Sequence, residues 1–402
     1  VTVPVPEADA LVDRLRRHEP SVATDARVHV VRAPGRINLI GEHTDYNQGF
    51  VLPAAIDLEI RIAFVPTSDR QVAITLVDSG ERREFKLDAI PPASGQWIDY
   101  VAATAWSLQS AGLALHGFRG VLASNLPISA GLSSSAALEL VSAWALLDPP
   151  DLAAHGIDAP RLARLCQRAE NDHVGVQCGI MDQFAASAGQ RGRALFLDCR
   201  DLSYRTVALP TEDHALVVCD TNAPRRLGDS EYNQRRVECE AAVATIGEHE
   251  PGVDSLRDVT PEILERHAAR LQPVQLARAE HVVRENARVL ATVDALEAGD
   301  LEVLRPLWAE SHASLRDRYE VSSPELDAMV DVALATPGVV AARMTGAGFG
   351  GCTVNLVRRE AVSTFREAVE RDYPERTGRQ PRVLVVEAAD GAGLEVSVPV
   401  GD

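Results

Sequence analysis

The chain has 402 residues, 46% of them hydrophobic and 24% charged, with a formal net charge of −18, which is length for two domains or one large one with an ample core. A chain this acidic lacks the basic face that nucleic acid or an anionic membrane surface requires, so neither is expected as a partner. Its only lysine is Lys86, so phosphate charge would have to be met by arginine, by helix N–H groups or by a metal ion.

Residues 1–20 read as an amphipathic helix around Leu11 and Leu15. Val28–Val31 reads as a strand, followed by a polar, glycine-bearing loop. Residues 51–66 alternate apolar and polar near their end, a strand pattern, and 71–77 with 83–88 suggest a hairpin. Residues 98–115 look helical. Val121–Ala123 reads as a strand that leads into a Ser-rich loop. Residues 160–172 form an amphipathic helix through Leu162, Leu165, Cys166 and Ala169, which places Glu170 in its last turn. The pattern changes near residue 205. Leu216–Cys219 is a strand, and 230–247, 275–298 and 301–318 are long helical runs. Residues 324–335 form another helix, with Ser322 or Ser323 as N-cap and Pro324 in the first turn. Strand Val339–Met344, a glycine loop, strand Cys352–Val357, a helix over about 359–372 and strand Arg382–Val386 follow. That order predicts a ferredoxin-like lobe, with helices on one face of an antiparallel sheet. The six cysteines form no C-x-x-C pair, which argues against zinc or redox motifs. No stretch is apolar and long enough to span a membrane, and no apolar leader precedes the first helix, so a reduced, cytoplasmic location is expected.

Chemistry gathers in particular segments. Pro127–Ala137 is a small, Gly- and Ser-rich loop running into a helical pattern. The first turn of a helix has unpartnered N–H groups and the positive end of the dipole, so small residues there suit phosphate. A tight strand-to-helix turn with a serine N-cap is an equal reading. The usual phosphate loop, G-x-x-x-x-G-K-[ST], is missing. Glu42, His43, Thr44, Asp45 and Tyr46 crowd together after Gly41, as suits a ligand with many hydroxyls; Arg36 lies in the same segment and could face a phosphoryl group. A solvated turn would account for Asp45 alone but not for the crowding. Asp182 lies among Ile180, Met181 and Phe184, where a carboxylate must be paired; Arg36 would keep it ionised, and a helix N-cap is the plainer alternative. Glycines 346, 348, 350 and 351 permit close backbone approach to a ligand, or a hairpin loop.

Taken together and in this order, these segments resemble the GHMP small-molecule kinases, and within them the galactokinases. GRINLIGEHTDYNQGFVLP at 35–53 is similar to the galactokinase substrate motif nearly residue for residue. PISAGLSSSAALE at 127–139 resembles the family's ATP loop, and AENDHVGVQCGIMDQF at 169–184 the segment bearing its catalytic aspartate. DSEYNQRR at 229–236, SHASLRDRYEVSSPELD at 311–327 and TGAGFGGC at 345–352 match further family segments.

The resemblance implies an α+β, two-lobed GHMP kinase fold with the site between the lobes: a mixed-sheet N-terminal lobe over 1–205 and the ferredoxin-like lobe over 206–402. It implies Asp182 as catalytic aspartate and Arg36 as transition-state stabiliser. Glu42, His43, Thr44, Asp45, Gly179 and Tyr232 would hold the sugar. Ser129, Ala130, Gly131, Leu132, Ser133, Ser134 and Ser135 would cradle the triphosphate of ATP, and Ser135 and Glu170 would bind Mg²⁺. The implied reaction is Mg-ATP-dependent phosphorylation of the C1 hydroxyl of α-D-galactose, the first committed step of galactose use by the Leloir pathway, by a monomer with no obligate protein partner. Rival readings are a kinase for N-acetylgalactosamine or arabinose, and a non-catalytic galactose- and ATP-sensing regulator; the complete GLSSSAA and Asp182 favour turnover. Two departures stand out. Ala347 occupies a place where many relatives have glycine, which predicts strain if φ is positive there. Pro224-Arg225 replaces a frequent Arg-His pair near the sugar.

Overall fold

A computed structural model describes residues 5–19, 26–127, 130–147, 152, 156–223 and 228–399. In its first half the described elements are α1 (Ala8–His18), β1 (Arg27–Asn38), β2 (Phe50–Val51), β3 (Pro53–Thr67), β4 (Gln71–Leu76), β5 (Arg82–Lys86), α2 (Ile98–Ser110), β6 (Gly117–Ser124), α3 (Ser134–Leu147), α4 (Ala159–Arg168), α5 (Met181–Ala188), β7 (Arg193–Asp198) and β8 (Tyr204–Ala208). The second half carries β9 (His214–Asp220), α6 (Gly228–Gly247), α7 (Pro261–His267), α8 (Pro273–Ala298), α9 (Leu304–Asp317), α10 (Pro324–Ala335), β10 (Val339–Thr345), β11 (Cys352–Arg358), α11 (Val362–Thr377), β12 (Arg382–Val386) and β13 (Gly393–Pro399).

The first lobe is built on a sheet of order β13-β1-β3-β6-β4-β5, mixed because β4 and β6 run parallel while the other pairs are antiparallel. On one face α1 covers it with Leu11, Val12 and Leu15, packed among Val28, Val30, Ala63 and Val121. α3 crosses β1 and β3. Its sequence is apolar nearly all round, and accordingly almost every residue of it is buried. β2, β7 and β8 make a small separate sheet.

The second lobe carries the order β10-β11-β9-β12, antiparallel throughout. In chain order that is second, third, first, fourth, the ferredoxin-like arrangement. α10 and α11 seal one core against it through Met329, Val330, Phe365 and Val369. A further core, with Ile246, Val282, Leu315 and Tyr319, joins α6, α8 and α9.

Several details depart from the sequence reading. β1 does not stop at Val31 but continues to Asn38, through residues expected as loop. Pairing to β3 resumes after a bulge between Pro34 and Arg36. Pro34 is tolerated because it lies past Arg32, the last residue that β13 pairs, so its missing N–H interrupts no ladder on that side. The helix expected over 160–172 divides. Asp158 caps α4 by accepting from Arg161 N at 2.8 Å. The chain then widens into one π-helical turn, Ala169–Val174, closed by Gly175 at φ 96°, the kind of irregularity that gathers at functional sites. A boundary between 205 and 206 would fall inside β8, and residues past 206 are not confined to the second lobe, because β13 returns to pair with β1. Local pattern shows a change of composition near 205 but carries no sign of a pairing partner more than three hundred residues away. Ser323, of the two serines expected at α10, is its cap, accepting from Leu326 N at 3.3 Å. All six cysteines are free thiols, and among the described residues no helix is long and apolar enough to cross a membrane.

Candidate active site

The bulge in β1 brings the strand against the Ser-rich loop. A Cβ on Gly35 would come within 2.7 Å of Leu132 O, and Arg36 N donates to that same carbonyl at 3.1 Å. The turn aims the Arg36 side chain inward, where it is 4% exposed. Its guanidinium grips Asp182 as a fork, Nε to Oδ1 at 2.8 Å and Nη2 to Oδ2 at 2.7 Å, and Nη1 donates to Gly131 O at 2.6 Å. Ser133 Oγ donates to Asp182 Oδ2 at 2.5 Å. Gly131 and Ser133 hold positive φ, 79° and 61°, as the loop turns into α3. Asp182 is therefore no N-cap. That position belongs to Ile180, and the carboxylate points to arginine and serine instead. Its side chain stays 26% exposed, open on one side.

The polar cluster after Gly41 folds over the same place. Asp45 packs so closely on Gly179 that no side chain fits there, and its Oδ2 lies 3.4 Å from Met181 N. Burial, and then the Asp182 charge, push the Asp45 carboxyl up to about 6. His43 sits at φ 63°. Burial above all, with His281 adding, drives its pKa down to about 3, so the ring is neutral. Nε2, facing the Ala347 carbonyl at 3.2 Å, must carry the proton and donate, and Nδ1 accepts from Tyr46 OH at 2.8 Å. Tyr46 in turn accepts from Tyr319 OH at 2.8 Å. The Tyr232 ring lies 5.5 Å from that of His43 and 5.4 Å from that of Tyr46. Its hydroxyl pKa is raised by burial and then by the nearby Asp45 charge. Glu42, 1% exposed, pairs with the fully buried Arg343 and accepts from Gly346 N at 3.2 Å. Burial still pushes its carboxyl above the ordinary range.

Thr44 is a different case. Its hydroxyl is completely buried between Gly41 O at 2.8 Å and Phe50 O at 2.6 Å. Its single proton is shared between those carbonyls, so it braces the turn and faces no ligand; the expectation that it holds the sugar is corrected on this point.

Ser135, in the first turn of α3, lies near Glu170 and acts to lower the pKa of its carboxyl. Glu170 also accepts from Gln183 Nε2 at 2.7 Å and from Cys178 Sγ at 3.3 Å. The same Gln183 amide reaches Glu139 Oε2 at 3.1 Å. Burial, with Asp182 close by, pushes Glu170 up to about 7, and burial and then the Glu170 charge raise Glu139 as well. Hard oxygen donors around uncompensated negative charge suit a divalent cation held jointly with phosphate oxygens. Among the described residues no group of three or more His, Cys, Asp or Glu is arranged to hold a metal by itself.

Other expected residues fall variously. Ala130 and Leu132 are buried and contribute main chain; Ser134 and Ser135 open α3 and are partly exposed. Ser129 and Pro224-Arg225 lie outside the described residues. Two of the glycines of 346–351 permit close approach to the Ser-rich loop, since a Cβ at Gly346 would be 2.9 Å from Gly131 O and one at Gly351 2.9 Å from Ala130 O, while Gly348 lies against the Val321 carbonyl and Gly350 against that of Ala223. Ala347 is not at positive φ, so the strain predicted for it is absent; Phe349, at φ 60°, is the non-glycine residue of that loop in the left-handed region. Glu139, Gln183 and Arg343 escaped the sequence reading, because a buried polar or charged side chain on a helix or strand looks like a solvated one until its partner is known.

Known proteins resemble this chain in sequence and in fold. A model of the galactokinase galactose-binding signature matches residues 17–66, one of the GHMP kinases N-terminal domain 99–190, and one of the GHMP kinases C-terminal domain 292–375. The chain is 48% identical over 364 residues to a galactokinase of Roseiflexus sp., covering 90% of this chain and 92% of that one. It is 46% identical over 368 residues to a galactokinase of Chloroflexus aggregans, covering 91% and 92%. The crystal structure of Lactococcus lactis galactokinase complexed with galactose matches with a TM-score of 0.90 at 36% identity, over 96% of this chain and 98% of that one. Mevalonate kinase of Methanococcus jannaschii matches with a TM-score of 0.60 at 18% identity, over 90% and 99%, a likeness of fold alone.

Proposed function

The chain belongs to the galactokinases, ATP-dependent sugar kinases of the GHMP fold, and from that premise we propose how its residues phosphorylate galactose at the C1 hydroxyl. The observation that carries the reading is Asp182, held between the Arg36 fork and Ser133 of the Ser-rich loop, one residue from the Met181 N–H that touches Asp45. The carboxylate thus stands where a loop suited to phosphate meets a loop suited to hydroxyls.

Asp45, His43, Glu42, Tyr232 and the Gly179 main chain bind the sugar and turn its C1 hydroxyl toward Asp182. Asp182 accepts a hydrogen bond from that hydroxyl and takes its proton as the oxygen–phosphorus bond forms. Arg36 fixes the carboxylate in orientation. Three of its five N–H groups are used, and the two left over face charge developing on the transferred phosphoryl group. The N–H groups of residues 130–135 and the start of α3 cradle the triphosphate. Ser135 and Glu170 would hold Mg²⁺, which would supply charge neutralisation to the phosphate oxygens. Atoms balance as ATP + galactose → ADP + galactose 1-phosphate + H⁺.

A coupled assay of ADP release with D-galactose, D-glucose, N-acetylgalactosamine, L-arabinose and no sugar tests this. Turnover with galactose that disappears on chelating Mg²⁺ is expected. Turnover with another sugar alone overturns the substrate, and galactose binding without ADP release overturns the catalytic reading.

A further inference from the structure

Helix α8 lies in the second half of the chain, yet part of its polar face is occupied by the main chain of the 41–50 loop. His281 Nε2 meets the Glu42 carbonyl at 3.1 Å and its Nδ1 meets Ser314 Oγ at 2.9 Å. Burial is the main cause holding this ring near a pKa of about 4, against the pull of Glu285, so it is neutral: Nε2–H donates and Nδ1 accepts. One turn on, Glu285 Oε1 accepts from Gly41 N at 3.0 Å and from Ser311 Oγ at 2.6 Å. Beside it, Asn286 Oδ1 accepts from Phe50 N at 2.9 Å. These side chains are 0%, 0% and 8% exposed. The fit leaves no slack, since a Cβ on Gly49 would come within 2.5 Å of Asn286 Oδ1 and 2.8 Å of Thr44 Cβ.

The contacts fall at both ends of the loop, at Gly41 and Glu42 where it leaves β1 and at Phe50 where it enters β2. The side chains assigned to the sugar hang between them. Glu285 is also tied to the Glu42 partner: it lies 3.7 Å from the Arg343 guanidinium and is gripped by Arg288, Nε at 2.8 Å and Nη2 at 2.7 Å. Burial works against its charge, but Arg288, His281 and Arg343 hold its carboxyl down at about 2.

We propose that His281, Glu285 and Asn286 are positioning residues of the sugar site, which set galactose affinity by fixing the main chain of the 41–50 loop from the opposite lobe. The proposal rests on the reading that this loop binds the sugar. A purely structural role would lower stability and weaken both substrates together. A positioning role moves the sugar alone, because the Ser-rich loop is held by other contacts, Arg36 to Gly131 O and Leu132 O.

The test compares His281→Leu, His281→Gln, Asn286→Ala and Asp45→Ala in the full chain, with galactose Kd by titration calorimetry, both KM values, kcat and the melting temperature. Loss of one buried hydrogen bond corresponds to about five- to tenfold in affinity. His281→Leu and Asn286→Ala are each expected to raise galactose Kd by that factor, with ATP KM and kcat at saturating galactose unchanged. His281→Gln, which keeps an N–H near the Nε2 position, recovers most of the loss. Folded variants with wild-type galactose Kd overturn the proposal, as does a parallel loss for galactose and ATP. Should His281→Leu not fold, Asn286→Ala and His281→Gln decide. Asp45→Ala separates the failures: if it leaves galactose Kd unchanged, the sugar-loop reading is wrong, whereas an effect at Asp45 with none at His281 or Asn286 removes only the positioning role.

Discussion

Replacing Gly179 by alanine adds one methyl group where none fits. Gly179 is not at positive φ, so the change brings no backbone strain of the left-handed kind, and its effect isolates the contact with Asp45. A Cβ there would overlap Asp45 Oδ2 and Cγ, and even the farther oxygen, Oδ1, would be 2.7 Å away, against 3.4 Å for ordinary contact. The carboxylate must therefore withdraw by at least about 0.7 Å, enough to spoil its hydrogen bonds to a bound sugar. A charge-assisted hydrogen bond contributes about 1.5–3 kcal/mol, or roughly 10- to 150-fold in affinity. In a coupled ADP-release assay Gly179→Ala should raise galactose KM by that order, with ATP KM unchanged. Asp45→Ala should do much the same. The informative variant is the double one, because removing the Asp45 carboxylate makes room for the methyl group. Gly179→Ala should then add almost nothing, giving a coupling energy close to the whole single effect. Losses that multiply in the double variant, or a wild-type KM in Gly179→Ala, would refute the argument that this glycine exists to make room for Asp45.

Asp182→Asn should leave galactose binding near normal by calorimetry and lower kcat by about a hundredfold or more, the scale of a lost general base; near-normal turnover would sink the assignment. Thr44→Val leaves the Gly41 and Phe50 carbonyls without their hydroxyl partner, so it should cost about 1–3 kcal/mol of stability in denaturant unfolding, and any rise in galactose KM should accompany that loss because the hydroxyl braces the same 41–50 main chain; a large KM effect at unchanged stability would return Thr44 to the sugar site. Glu170 gives a pH test. Its carboxyl lies at about 7 in the folded chain against 4.5 for the free group, so folding retains a proton there that the unfolded chain has lost, and stability falls as pH rises from about 4.5 through about 7. Glutamine does not titrate. Glu170→Gln should melt above the wild type at pH 8, the advantage shrinking toward pH 4.5, and should weaken Mg²⁺ activation; a lower melting temperature at pH 8 would contradict the burial argument.

Much of the fold was legible because its signals are local. Alternation marked β3, the apolar stripe of Leu11 and Leu15 marked α1, and Ser323-Pro324 marked the start of α10. The second-lobe sheet could be assembled from element order alone. What stayed hidden was non-local. β13 has no meaning until it finds β1, and the extension of β1 through Pro34 and Gly35 depends on β3 resuming register beyond a bulge. The π-helical turn at Glu170 reads as ordinary helix because its residue pattern differs from an α-helix only where it packs.

By itself the sequence determined which chemical groups are present and how they are strung. It held a carboxylate cluster after Gly41, a small-residue loop before a buried helix, an aspartate among apolar neighbours, and motifs specific enough to point to one family. Only the tertiary structure decided what each group faces. Asp182 could have capped a helix until Arg36 and Ser133 took hold of it. Thr44 could have met a sugar until Gly41 O and Phe50 O enclosed its hydroxyl. Gly346 and Gly351 could have been read as facing a ligand until the Ser-rich loop packed against them. Hydrogen bonding, desolvation and steric contact act over a few ångströms, and the partners that set them here are brought together by folding, some from within one turn, as at Thr44, and others from far along the chain, as Arg36 and Asp182 are.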